Sequence, residues 1–68
     1  MKKTPVQEAL VELRHQLNLT QQQLTYELKV GAMTVSRWET NRSPSGQSLV
    51  LLADYALVRG KPRIAAVF

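Results

Sequence analysis

The feature that most constrains this chain is a helix-start signal used twice. Thr4-Pro5-Val6-Gln7 and Thr20-Gln21-Gln22-Gln23 each place a threonine three residues ahead of a glutamine. In such a quartet the threonine oxygen accepts from the third helical N–H, and the glutamine side chain reaches back to the threonine N–H. Pro5 suits a first helical position, because its missing N–H is one the helix does not need there. After the first quartet Val6, Leu10, Leu13 and Leu17 recur at helical spacing, with Glu8, Glu12 and Arg14 on other faces. This predicts a first helix over about 5–17, ended by Asn18. After the second, Leu24 and Leu28 lie four apart and predict a short helix over 21–28.

Lys29-Val30-Gly31 breaks the pattern, with Gly31 as the flexible point. A third helix is expected over Ala32 to Glu39, with Val35 and Trp38 inward. Thr40 to Pro44 reads as a loop in which Asn41 is the residue type that tolerates a left-handed helix end. Ser45 is the expected cap of a fourth helix, with Leu49, Leu52, Ala53 and Ala56 as its buried stripe. Gly60-Lys61-Pro62 ends it, and Arg63 to Phe68 forms a short final helix or packs on the core. No strand pattern competes. The fold class is therefore all-α, a bundle of four or five short helices in one domain over 1–68.

Several functions are disfavoured by what the chain lacks. It has no cysteine and one histidine, His15, so neither a disulfide framework nor a thiolate metal site can form. Gly31, Gly46 and Gly60 are scattered, with no phosphate-cradling loop. Paired carboxylates and a His-centred constellation are also missing, so no enzyme activity, cofactor or metal is expected. No apolar run approaches the roughly 20 residues of a bilayer span, and Gln7, Glu8 and Glu12 interrupt any secretion signal. A cytoplasmic protein is expected. Nine Lys and Arg against five Asp and Glu give a net charge of +4, which permits a polyanionic partner.

Two short helices joined by a tight turn, the second with small and polar outward residues, suit insertion into the major groove. Leu24, Leu28, Val30, Val35 and Trp38 would fix the pair, leaving Ala32, Met33, Thr34, Ser36, Arg37 and Thr40 outside. The plain alternative is the polar face of any small helical bundle. His15 and Tyr26 read as rim residues. Lys2 and Lys3 read as a solvated terminus or an arm near phosphates.

The run Leu13-Arg14, Leu19-Thr20-Gln21-Gln22-Gln23-Leu24, Leu28-Lys29-Val30, Val35-Ser36-Arg37-Trp38-Glu39 and Pro44-Ser45 resembles the Xre/Cro/phage-repressor helix-turn-helix family, over about residues 6–57. The resemblance implies a lambda-repressor-like bundle with the motif at residues 20–39, and double-stranded DNA as partner. It implies a phosphate contact at Gln21, flanked by Thr20 and Gln23. The family's base-reading positions fall on Ala32, Met33, Ser36 and Arg37, with Thr34 close to the backbone and Arg42 on the sugar-phosphate chain. Arg37 can donate two bonds to a guanine edge, or else serves as a phosphate contact or a solvated arginine. Ala32 and Met33 offer only apolar contact, where the family often carries Gln, Ser, Asn or Arg.

The resemblance also implies an ion pair between Arg14 and Glu39. Lys29 stands where the family has a turn glycine, and a lysine in the left-handed region costs on the order of 1 kcal/mol. Gly31 stands where the family caps its third helix with Ser or Thr. Thr25 replaces a common alanine and brings a hydroxyl that needs a partner. The function implied is transcriptional regulation, as a repressor binding an inverted-repeat operator as a homodimer. Two alternatives are an antitoxin, with the tail Ile64 to Phe68 meeting a toxin partner, and a scaffold used only for protein contact.

Overall fold

The computed structural model describes residues 3–68, so the reading of Lys2 as part of an arm lies outside the described residues. Five helices follow one another: α1 (Pro5–Gln16), α2 (Gln21–Leu28), α3 (Thr34–Thr40), α4 (Gln47–Val58) and α5 (Pro62–Ala65). Among the described residues there is no strand. Both capping boxes form. Thr4 Oγ1 accepts from the Gln7 N–H at 3.1 Å while Gln7 Oε1 accepts from the Thr4 N–H at 2.9 Å. Thr20 and Gln23 repeat the exchange at 3.0 and 2.8 Å.

The ends of α1 and α2 share one geometry. Asn18 (φ 56°) and Lys29 (φ 58°) are the two non-glycine residues in the left-handed region. After each, two N–H groups fold back: Asn18 to His15 O and Leu19 to Arg14 O, then Lys29 to Tyr26 O and Val30 to Thr25 O. That crossed pair satisfies carbonyls that a helix end otherwise leaves open. Asn18 thus ends α1 as expected, one residue earlier than the 5–17 boundary.

Three expectations give way. The third helix starts at Thr34, not Ala32, and runs on through Thr40. Ala32 and Met33 form a turn in which the Thr34 N–H reaches Gly31 O at 3.0 Å. No residue from 31 to 33 carries a capping oxygen, so the first turn is left open. Asn41 has φ −122°, outside the left-handed region; the N–H groups of Asn41 and Arg42 both close on Arg37 O instead. Ser45 does not cap α4. Gly46 occupies the cap with φ 58° and ψ −130°, a conformation that a side chain would strain. In the motif's turn Lys29 takes the left-handed conformation, at the position where the resemblance places the family's turn glycine.

The core lies in two connected clusters. One joins Ala9 and Leu13 of α1 to Ala56, Ile64 and Ala65; the other joins Leu10, Leu24, Leu28, Val35 and Leu52. Tyr55 and Phe68 pack against both. On α4 the buried stripe narrows to Leu52 and Ala56, with Leu49 and Ala53 half-buried. The tail does both things expected of it, forming α5 and burying Ile64 and Ala65. Burying a Leu or Ile side chain contributes about 1.5–3 kcal/mol, so the tail is part of the fold. Among the described residues, no helix is long and apolar enough to cross a membrane.

Candidate nucleic-acid interface

The backbone between α2 and α3 follows from the Lys29 turn. Its left-handed conformation turns the chain so that Val30 is half-buried against the cluster of Leu10, Leu24, Leu28, Val35 and Leu52. Val35 is fully buried and Trp38 half-buried in the same cluster, which fixes the roll of α3 about its axis. Trp38 therefore faces the interior, as read from its spacing. Thr25 is buried and its hydroxyl donates to Gln21 O at 2.8 Å, within its own helix. The threonine that stands for alanine is thus satisfied locally.

A polar network holds the C-terminal end of α3. Glu39 is 2% exposed and accepts three hydrogen bonds: Arg14 Nε at 2.8 Å, Arg14 Nη2 at 3.1 Å and Gln21 Nε2 at 2.8 Å. The bidentate Arg14–Glu39 pair is the one expected from the resemblance. Arg14 Nη1 also donates to Leu19 O at 3.2 Å, tying the pair to the loop before α2. A fourth tie comes from Gln7, buried and donating through Nε2 to Trp38 O at 3.0 Å. Sequence reasoning assigned Gln7 to its cap alone. Since the cap uses only Oε1, the free amide N–H pair was the available signal.

The residues proposed to meet DNA divide into three groups. At the start of α2, the cap consumes the Thr20 oxygen lone pair and the Gln23 Oε1, and leaves the Thr20 hydroxyl hydrogen and Gln23 Nε2 unused. Thr20 and Gln23 are exposed; Gln21 is half-buried, with one of its two amide hydrogens on Glu39. In the turn, Ala32 and Met33 are exposed, Met33 by 58%. On α3, Arg37 is exposed while Thr34 and Ser36 are half-buried. The Gln21–Glu39 bond sets the start of α2 beside the end of α3.

Thr34, Arg37 and Arg42 meet in one groove of about 660 Å³, walled also by Trp38, Asn41, Ser43, Pro44, Ser45 and Ser48. No carboxylate lines it, and among the described residues neither arginine is in an ion pair. Two guanidinium groups and four hydroxyl side chains facing one groove favour an anion with several oxygens. Ser43, Ser45 and Ser48 were not assigned to the interface from the sequence. Their signal was present as a serine at every second or third position after Arg42, but it reads equally well as ordinary loop composition.

A family model described as helix-turn-helix matches residues 10–56, from Leu10 in α1 to Ala56 in α4. No curated protein and no solved structure matches the chain.

Proposed function

Because the chain belongs to the Cro/C1-type, Xre-like helix-turn-helix family of DNA-binding transcription regulators, we propose that it reads a specific duplex operator with α3 and the turn before it. The observation that carries this reading is the carboxylate-free groove holding Arg37 and Arg42 beside α3. Arg37, exposed and without a side-chain partner among the described residues, donates to a guanine edge. Ser36 adds a short polar contact, and Ala32 and Met33 pack on thymine methyl groups. Thr34 lies nearer the backbone. Arg42 takes a phosphate on one side of the motif. On the other, Thr20, the second amide hydrogen of Gln21 and Gln23 take one at the start of α2, where the helix dipole favours an anion.

In this reading the chain acts as a repressor, two copies occupying inverted half-sites about one helical turn apart. Of the tail that the antitoxin alternative would use, Ile64 and Ala65 are in the core, while Ala66 and Val67 are exposed.

Selection of bound sequences from random duplex DNA, followed by salt titration, tests the reading. A sequence-specific site is expected, with affinity falling steeply as salt rises. Arg37→Ala should lose about 1–3 kcal/mol and relax preference at one base pair, while Arg42→Ala should weaken all sequences alike and lower the salt slope by about 1. Failure to enrich any sequence at low salt, or binding indifferent to Arg37→Ala, refutes it.

A further inference from the structure

The chain leaves α3 in an irregular way. In a continuing helix the Arg42 N–H would reach Trp38 O, four residues back. Here it turns to Arg37 O at 2.9 Å, which already receives the Asn41 N–H at 2.8 Å. Trp38 O is thereby left without that backbone donor, as one of the open carbonyls of a helix end. Gln7 Nε2 fills it at 3.0 Å, from a side chain 6% exposed on α1. One residue past Arg42, Ser43 Oγ accepts from the Thr4 hydroxyl at 3.2 Å. The capping quartet of α1 therefore holds the exit of α3 on both sides of Arg42.

This exit sets Arg42 with Arg37 in one groove, which Trp38 and Ser43 also line. Were α3 to run on through residue 42, Arg42 would lie about 140° round the axis from Arg37, at about 100° per residue. The two guanidinium groups would then face different ways. We propose that Gln7 and Thr4 are positioning residues for DNA: they stop α3 at Thr40 and so aim Arg42 at the phosphate it takes. Neither needs to touch the duplex. Glutamine suits the task because its oxygen accepts from the Thr4 N–H while its nitrogen donates to Trp38 O. Glutamate, equally suited to such a cap, offers only the first when ionised. The proposal rests on the operator reading for the use of Arg42, whereas the control of the α3 exit belongs to the free chain.

Cα chemical shifts of the full chain without DNA give the first test. Gln7→Met removes the donor, and Asn41 and Arg42 should move to helical shifts as α3 lengthens. Gln7→Glu keeps the oxygen that caps α1 and lacks the donor, so the same two shifts should move with the start of α1 intact. On the duplex selected by the unmodified chain, Gln7→Met should bind about tenfold more weakly, the worth of one charge-assisted hydrogen bond. Its salt slope should fall by about 1, as for Arg42→Ala. The loss should not add to that of Arg42→Ala, since both act through one phosphate contact, but should add to that of Arg37→Ala. A part in stability alone would move neither the shifts nor the slope. Unmoved shifts at Asn41 and Arg42 in both Gln7 variants, or full additivity with Arg42→Ala, overturn the proposal. An unmodified chain that enriches no duplex refutes the operator reading instead, and the shifts still decide what Gln7 does.

Discussion

Removing the charge of Arg14 should cost a large fraction of the fold's stability. Glu39 is 2% exposed and Arg14 16%, and two of the three hydrogen bonds Glu39 receives come from that guanidinium. With Arg14→Met the aliphatic stem stays and the charge goes. Glu39 is left buried with the Gln21 amide alone, and Leu19 O loses its side-chain donor. Stranding a buried carboxylate in this way costs about 3–5 kcal/mol. The slight exposure of Arg14 places the expectation near 3. A chain of 68 residues has about 3–10 kcal/mol of stability in all, so the variant loses from about 30% to nearly all of it. The assay is urea unfolding followed by circular dichroism, on Arg14→Met, Glu39→Leu and the double variant. Replacing both partners removes the stranded charge, so the double variant should be more stable than Arg14→Met. A loss below about 1 kcal/mol for Arg14→Met, the worth of an exposed pair, would refute this account. So would a double variant that merely sums the two single losses.

Three further outcomes follow from the turns and from α4. Lys29→Gly should raise stability by about 0.5–1 kcal/mol, the left-handed strain relieved less the added freedom of the unfolded chain; thermal melting would show a rise of a few degrees. Gly31→Ser should stabilise by up to about 1 kcal/mol by supplying the oxygen that the first turn of α3 lacks, provided Thr34 Oγ1, 3.2 Å from the added Cβ, rotates aside; a lower melting temperature would show that it does not. Burial, and then the hydrogen bond its hydroxyl donates to Glu27, raise the Tyr55 pKa above 10.0. A group raised on folding contributes stability below its unfolded pKa and loses it as pH climbs through the folded one. The stability difference between the protein and Tyr55→Phe should therefore shrink above about pH 10, and a difference constant with pH would contradict it.

What the sequence made legible is what local chemistry decides. The two Thr-x-x-Gln quartets fix where α1 and α2 begin because every atom of the cap lies within four residues. Leu10, Leu13, Leu24 and Val35 were readable as core from helical spacing, and all four are fully buried. The Arg14–Glu39 pair was legible only through the family resemblance, since no rule of spacing joins residues so far apart. The start of α3 was misplaced because Ala32 and Met33 continue the helical pattern, and only a missing cap argues against them. Gly46 displaced Ser45 for a similar reason: backbone conformation, not side-chain chemistry, set that cap. The Gln7–Trp38 and Gln21–Glu39 bonds belong to tertiary geometry, and so does the groove joining Arg37 to residues 41–48.

The two ends of α3 are held very differently. Its last turn is fastened to α1 and α2 through Gln7, Arg14 and Gln21, whereas its first has no side-chain cap. At seven residues α3 is too short to persist as a helix alone, so those rear fastenings, with Val35, give it its place. The side chains of Ala32, Met33, Ser36 and Arg37 form no hydrogen bond within the described residues, and the tertiary ties do not pass through them. They are interchangeable type in a fixed frame. On the proposed reading, rewriting those four positions should alter which operator is read while leaving the melting temperature nearly where it was.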